Sequence, residues 1–81
     1  MKIKYIIERG YILDDIKSFG IQKQYQKSKR LIISGVFGNV DFKLRQPKKE
    51  KIYQFRITKK YRAFCVLDKD TLRIMRIDKH Q

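Results

Sequence analysis

This 81-residue sequence has one cysteine, one proline, one histidine and only eight acidic residues. The lone Cys65 excludes an internal disulfide, and no Cys/His cluster exists to hold zinc. That usage implies a reducing, cytoplasmic setting and no cofactor. Long apolar runs are missing too: "MKIKYIIERGY" has lysines but no stretch long enough for a signal peptide or a membrane span. No repeat, low-complexity tract or linker divides the chain, so residues 1–81 read as a single domain. A chain of this size buries only about 60–65% of its unfolded surface, which limits it to one small core. The 42% hydrophobic content and ten aromatics suffice for that core and exclude wholesale disorder.

Positive charge is abundant. Twenty-one Lys and Arg against eight acids give a formal net charge of +13 and an isoelectric point near 10.1. Residues 1–42 carry eight bases and four acids (+4), and residues 43–81 carry thirteen bases and four acids (+9). A basic half of this density implies a polyanionic partner, either nucleic acid or an acidic protein.

"KIKYIIE" alternates Ile3, Tyr5 and Ile7 against Lys2, Lys4 and Glu8, the pattern of a strand with one apolar face. From Tyr11 the period changes: Ile12, Ile16 and Phe19 fall at i, i+4, i+7, with Gly20 as a stop. A second helix is expected from Ile21 to about Ser34, with Ile21, Tyr25, Ser28 and Ile32 on one stripe. Gly35, Gly38 and Asn39 then break the chain. "NVDFKLR" alternates Val40, Phe42 and Leu44 and ends before Pro47; "KIYQFRI", "YRAFCVL" and "TLRIMRI" supply three further strands. The fold class is therefore α+β, in the order β-α-α-β-β-β-β: an antiparallel twisted sheet with a helical pair packed on one face.

The helices leave the other sheet face open. If Tyr53, Phe55 and Ile57 face inward, then Gln54 and Arg56 face outward, and Arg62 lands on the same open side. Arg56 and Arg62 flank the Lys59-Lys60 turn symmetrically and are expected near each other across the hairpin. Two readings fit this spacing. One is a phosphate held by two guanidiniums; the other is a pair of solvated arginines partnered by Asp68 or Asp78.

The stretch "IYQFRITKKYRAFCVLDKDTLRIMRIDKHQ", Ile52 to Gln81, resembles the C-terminal half of the RelE/ParE superfamily of toxin–antitoxin toxins. It has the aromatic-x-x-Arg-Ile strand, the tight turn, the Tyr-Arg strand start, the acidic turn and the final strand. The penultimate His80 is similar to the ending of YoeB-type members. Over the first fifty residues the resemblance is in element order alone. It implies a RelE-like fold and a ribosome-dependent endoribonuclease that cleaves mRNA in the decoding site, neutralised by an acidic antitoxin.

By the same resemblance, Arg62 matches the strand arginine that stabilises the scissile phosphate. Arg56 matches a second basic position, His80 the C-terminal histidine, and Lys48, Lys49 and Lys51 the basic run that contacts RNA. Cleavage by attack of the 2′-OH needs a base, charge neutralisation at the phosphorane and a protonated leaving oxygen. His80 alone has an unperturbed pKa near neutrality, and Glu50 is a second candidate acid–base group. Lys59, Lys60, Arg73, Arg76 and Lys79 are expected phosphate contacts without sequence reading. Tyr53 and Tyr61 are expected in the core.

Two departures from the family stand out. Gln81 replaces a terminal tyrosine, and Gln54 stands where many relatives have arginine. A ParE-like gyrase inhibitor and a catalytically impaired RNA- or ribosome-binding module are the alternatives. The short first helix and the "DKHQ" ending favour the nuclease.

Overall fold

The computed structural model of the protein describes residues 1–45 and 47–79. Its first strand, β1 (Tyr5–Glu8), leads into two helices, α1 (Gly10–Phe19) and α2 (Gln22–Ile33). Four strands follow: β2 (Lys43–Leu44), β3 (Ile52–Arg56), β4 (Tyr61–Asp68) and β5 (Thr71–Lys79). The order of elements is the expected one, and the class is α+β.

Helix α1 buries Ile12 and Ile16 and stops at Gly20, whose φ of 69° is the left-handed conformation of a helix C-cap. Gly20 and Ile21 donate their N–H groups to the Lys17 and Ile16 carbonyls, which closes the last turn. Helix α2 begins at once and buries Tyr25, Ser28 and Ile32 at helical spacing. The expected stripe holds, except that Phe19 stays 39% exposed and stacks on Tyr61, with ring centroids 4.8 Å apart. Under the helices lie Phe55, Ala63, Cys65, Leu72, Ile74 and Ile77, all buried from the sheet side.

Two expectations need correction. The sheet is mixed: its order is β1-β5-β4-β3-β2, and β1 pairs with β5 in parallel. The physical reason is a count of reversals. The helical pair returns the chain to the end of the sheet it left, so β2 runs opposite to β1. Three antiparallel steps then bring β5 back to the direction of β1. The second correction concerns "NVDFKLR", of which only Lys43–Leu44 is strand. Gly38–Val40 form a 3-10 turn and Asp41 sits at φ 52°, so the alternation of Val40 and Phe42 is not carried by extended backbone.

Strand β5 also carries an irregularity. Phe64 pairs with Arg76 and Cys65 with Ile74, so Met75 is an extra residue, a β-bulge. The bulge lets Ile74 and Ile77 both enter the core while Met75 and Arg76 stay exposed. The Tyr11 hydroxyl of α1 donates to the Met75 carbonyl at 2.7 Å, tying the helix to the bulge.

A further polar contact between the layers is centred on Glu8. The Tyr25 hydroxyl donates to the Glu8 carboxylate, and the Lys29 ammonium stands 3.4 Å from the same group. Burial first, and then the bond to Glu8, hold the Tyr25 phenol above its usual range. Burial likewise pushes the Cys65 thiol up to about 12. Both groups are neutral when protonated and titrate later in the folded chain than in the unfolded one. Their stabilising effect is thus complete below their unfolded pKa values and is lost as pH rises. For Cys65 the window runs from its ordinary value of 9.0 to about 12. Urea-denaturation midpoints should fall through that window, and Cys65→Ala should flatten the fall by about 1.4 kcal/mol per pH unit. Equal slopes in the two proteins would refute this.

Candidate nucleic-acid interface

The face away from the helices is built by alternation along the strands, shifted once by the bulge at Met75. Register puts Arg56, Arg62 and Asp78 in one row across β3, β4 and β5. The next row is Lys43, Gln54, Phe64 and Arg76, and the row after that holds Ile52, Val66, Arg73 and Ile7. Nothing covers this face among the described residues: Arg56, Arg73, Arg76 and Met75 are exposed, while Arg62, Phe64 and Val66 are half-buried.

Arg62 and Arg56 face each other in the ladder, as expected from the turn, but their head groups have different surroundings. The Arg56 guanidinium donates to the Asn39 carbonyl at 3.4 Å. The residue also lines a 210 Å³ depression shared with Lys27, Ser28 and Gln24 of α2. Arg62 Nη1, by contrast, is shut off from solvent and has no hydrogen-bond partner among the described residues. The carboxylates proposed as its partners are engaged or remote. Asp78, directly across the ladder, accepts from Arg76 Nε at 2.8 Å. Asp68 lies at the far end of β4. A guanidinium N–H left dry and unpaired is costly, and an anion arriving on this face relieves that cost.

A feature that alternation alone did not reveal lies one row away. The Phe64 ring has the Arg45 guanidinium carbon 4.4 Å from its centroid and that of Arg76 at 4.7 Å, one from each side of the strand. A shallow groove of about 160 Å³ runs here, lined by Arg45, Ile52, Phe64, Val66, Met75 and Arg76. Neither Arg45 nor Phe64 was a candidate from sequence. The available signal was the spacing Leu72, Ile74, Ile77, which breaks the period of two and announces the bulge that brings Arg76 to Phe64.

The remaining candidates divide by position. Lys59 and Lys60 sit in the exposed turn beside Arg62, and Lys79 pairs with Tyr61 at the same end of the sheet. Arg76 and Arg73 lie on the open face below it. Lys48, Lys49 and Glu50 form an exposed 3-10 turn, and Lys51 follows at φ 55°. This turn precedes Ile52, whose partner is Val66, so it lies at the opposite end of the hairpin from Arg62. The separation along β4 from Arg62 to Val66 is about 13 Å. Glu50 therefore does not share a phosphate with Arg62, and it makes no ion pair among the described residues. The three lysines extend the basic surface without joining the arginines. His80, the expected proton carrier, lies outside the described residues, as does Gln81. Tyr53 and Tyr61, expected in the core, are only partly buried and pack against it from its rim. No helix among the described residues is long and apolar enough to cross a membrane.

If Arg62 is held for a ligand, replacing it should not harm the free protein. Arg62→Met, which keeps the packing of the stem, should leave the denaturation midpoint unchanged or raise stability by up to about 1 kcal/mol. The same variant should bind polyanions more weakly. A loss of more than about 1 kcal/mol would make Arg62 a structural residue instead.

No family model matches this chain, and no curated protein matches it.

Proposed function

We propose that the protein is the toxin of a toxin–antitoxin pair, a RelE-like ribosome-dependent endoribonuclease that cleaves mRNA. The observation that carries this reading is the solvent-shielded Nη1 of Arg62, which has no partner among the described residues, on an open, strongly basic sheet face. Support also comes from the β-α-α-β-β-β-β order and from the resemblance of Ile52 to Gln81 to the toxin superfamily.

In the proposed reaction the 2′-OH attacks the adjacent phosphorus, and the bond to the 5′-oxygen breaks, leaving a cyclic phosphate and a 5′-hydroxyl end. Arg62 meets the extra negative charge of the phosphorane, its guanidinium turning toward the bound phosphate before the reaction. Arg56 contributes from the rim of the same row, and Arg76, Lys59 and Lys60 hold neighbouring phosphates. His80 takes the proton-transfer role in this reading, by resemblance alone. Glu50 takes no part at the scissile phosphate. The acidic antitoxin is proposed to cover the basic face, which makes its affinity strongly dependent on salt.

The test is 5′-end mapping of a reporter mRNA incubated with the protein, with and without translating ribosomes. Cuts should appear only with ribosomes and in register with codons, and Arg62→Ala should reduce their rate by about 10²–10³-fold. Cuts that persist unchanged in the variant, or their absence from every sample, would overturn the nuclease reading.

A further inference from the structure

The groove beside Phe64 has a composition that a merely solubilising surface does not need. Its floor is apolar, from Ile52, Val66 and Met75, and its walls are flat: one phenyl ring and two guanidiniums. At about 160 Å³ it is sized for a single planar ring. Two like charges over one ring repel each other, and only one of them is compensated. Arg76 is tied to Asp78 at 2.8 Å, whereas Arg45 has no anionic partner among the described residues. Arg45 is therefore the wall that no ion pair holds among the described residues.

We propose that this groove is a stacking site for one unpaired base of single-stranded RNA. The base lies against the Phe64 ring on the Arg45 side, with the Arg45 guanidinium layered over it. Stacks of this kind are sequence-tolerant, because every base presents a π-face. The neighbouring phosphate then falls toward Arg62, two residues from Phe64 on β4 and about 7 Å along the strand, the reach of one nucleotide. Charge complementarity decides for RNA over a purely apolar occupant. The row above the groove holds Arg62, whose Nη1 has no partner among the described residues, and the groove itself is lined by Arg45 and Arg76. The choice of RNA rests on the nuclease reading, but the stacking itself needs no cleavage.

The experiment uses the purified full chain without ribosomes and a 2′-O-methyl oligonucleotide, which 2′-OH attack cannot cut. Its affinity is compared with that of an abasic 2′-O-methyl strand of the same length at several salt concentrations. The wild type should prefer the strand with bases by about tenfold. Phe64→Leu keeps an apolar side chain on the open face and leaves the core untouched. It should abolish the preference while leaving the salt dependence unchanged, since the phosphate contacts remain. Equal affinity of the wild type for the two strands would overturn the proposal, as would a preference that survives Phe64→Leu. An acidic peptide bearing an aromatic side chain, if it displaced the oligonucleotide through Phe64 and outbound it at equal charge, would overturn it in favour of a protein occupant. Failure of ribosomal cleavage with the base preference intact would remove the nuclease reading alone.

Discussion

Everything on the open face depends on one packing contact, that of α1 and α2 on a single side of the sheet. Ile12, Ile16, Tyr25 and Ile32 press on Phe55, Ala63, Cys65, Leu72, Ile74 and Ile77, and these residues account for most of the buried core. The described residues form two layers, one sheet and one helical pair, with no third layer among them. Each strand must therefore be apolar on one side, and its other side is released from packing duty. The cations occupy that released side at no cost to the core. They are held nonetheless by backbone as rigid as the core's own, because the same strands carry both.

The bulge at Met75 adds a second constraint to the first. Without it, a strand entering the core at Leu72 and Ile74 would turn Arg76 inward and Ile77 outward. The extra residue reverses that parity, puts Ile77 in the core and brings Arg76 beside Phe64. It also frees the Met75 carbonyl, which the Tyr11 hydroxyl satisfies. A single local device thus repairs the core, anchors α1 and assembles the aromatic–guanidinium stack. Bulges gather at such places because they re-aim side chains without breaking the sheet.

How much of this was legible in the sequence follows from which forces are local. The helical stripes, Gly20 and the outward parity of Arg56 and Arg62 are set by periods within a few residues, and they could be read. The parallel pairing of β1 with β5 joins residues more than sixty positions apart and needed a count of chain reversals rather than a pattern. The loss of strand around Val40 turned on the left-handed conformation of Asp41, which alternation does not encode. The site was legible to the same degree. Arg62 could be singled out, but its lack of a partner among the described residues could not, because that depends on Arg76 winning Asp78 from across the ladder. Phe64 looked like one apolar residue among many in "YRAFCVL", and only the three-dimensional approach of Arg45 and Arg76 distinguishes it.

The competition for Asp78 bears on why this face has the form it does. Pairing Asp78 with Arg62 would satisfy the more buried cation and leave Arg76, which is 57% exposed in its side chain, to water. On solvation grounds that arrangement is the cheaper one, since an exposed guanidinium loses little by being unpaired. The protein adopts the other. Total folding stability in a domain of this size is only on the order of 5–10 kcal/mol, so an uncompensated buried N–H is a noticeable fraction of it. Such a departure from the cheaper arrangement is expected where a group must be ready for a ligand. With Asp78 turned to Arg76, one charge is neutralised beside the Phe64 groove, and the full positive charge is kept at Arg62. The pairing of Asp78 with Arg76 alone thus leaves two unlike surfaces side by side on the open face, a flat ring flanked by guanidiniums and a buried cation without an acidic partner among the described residues.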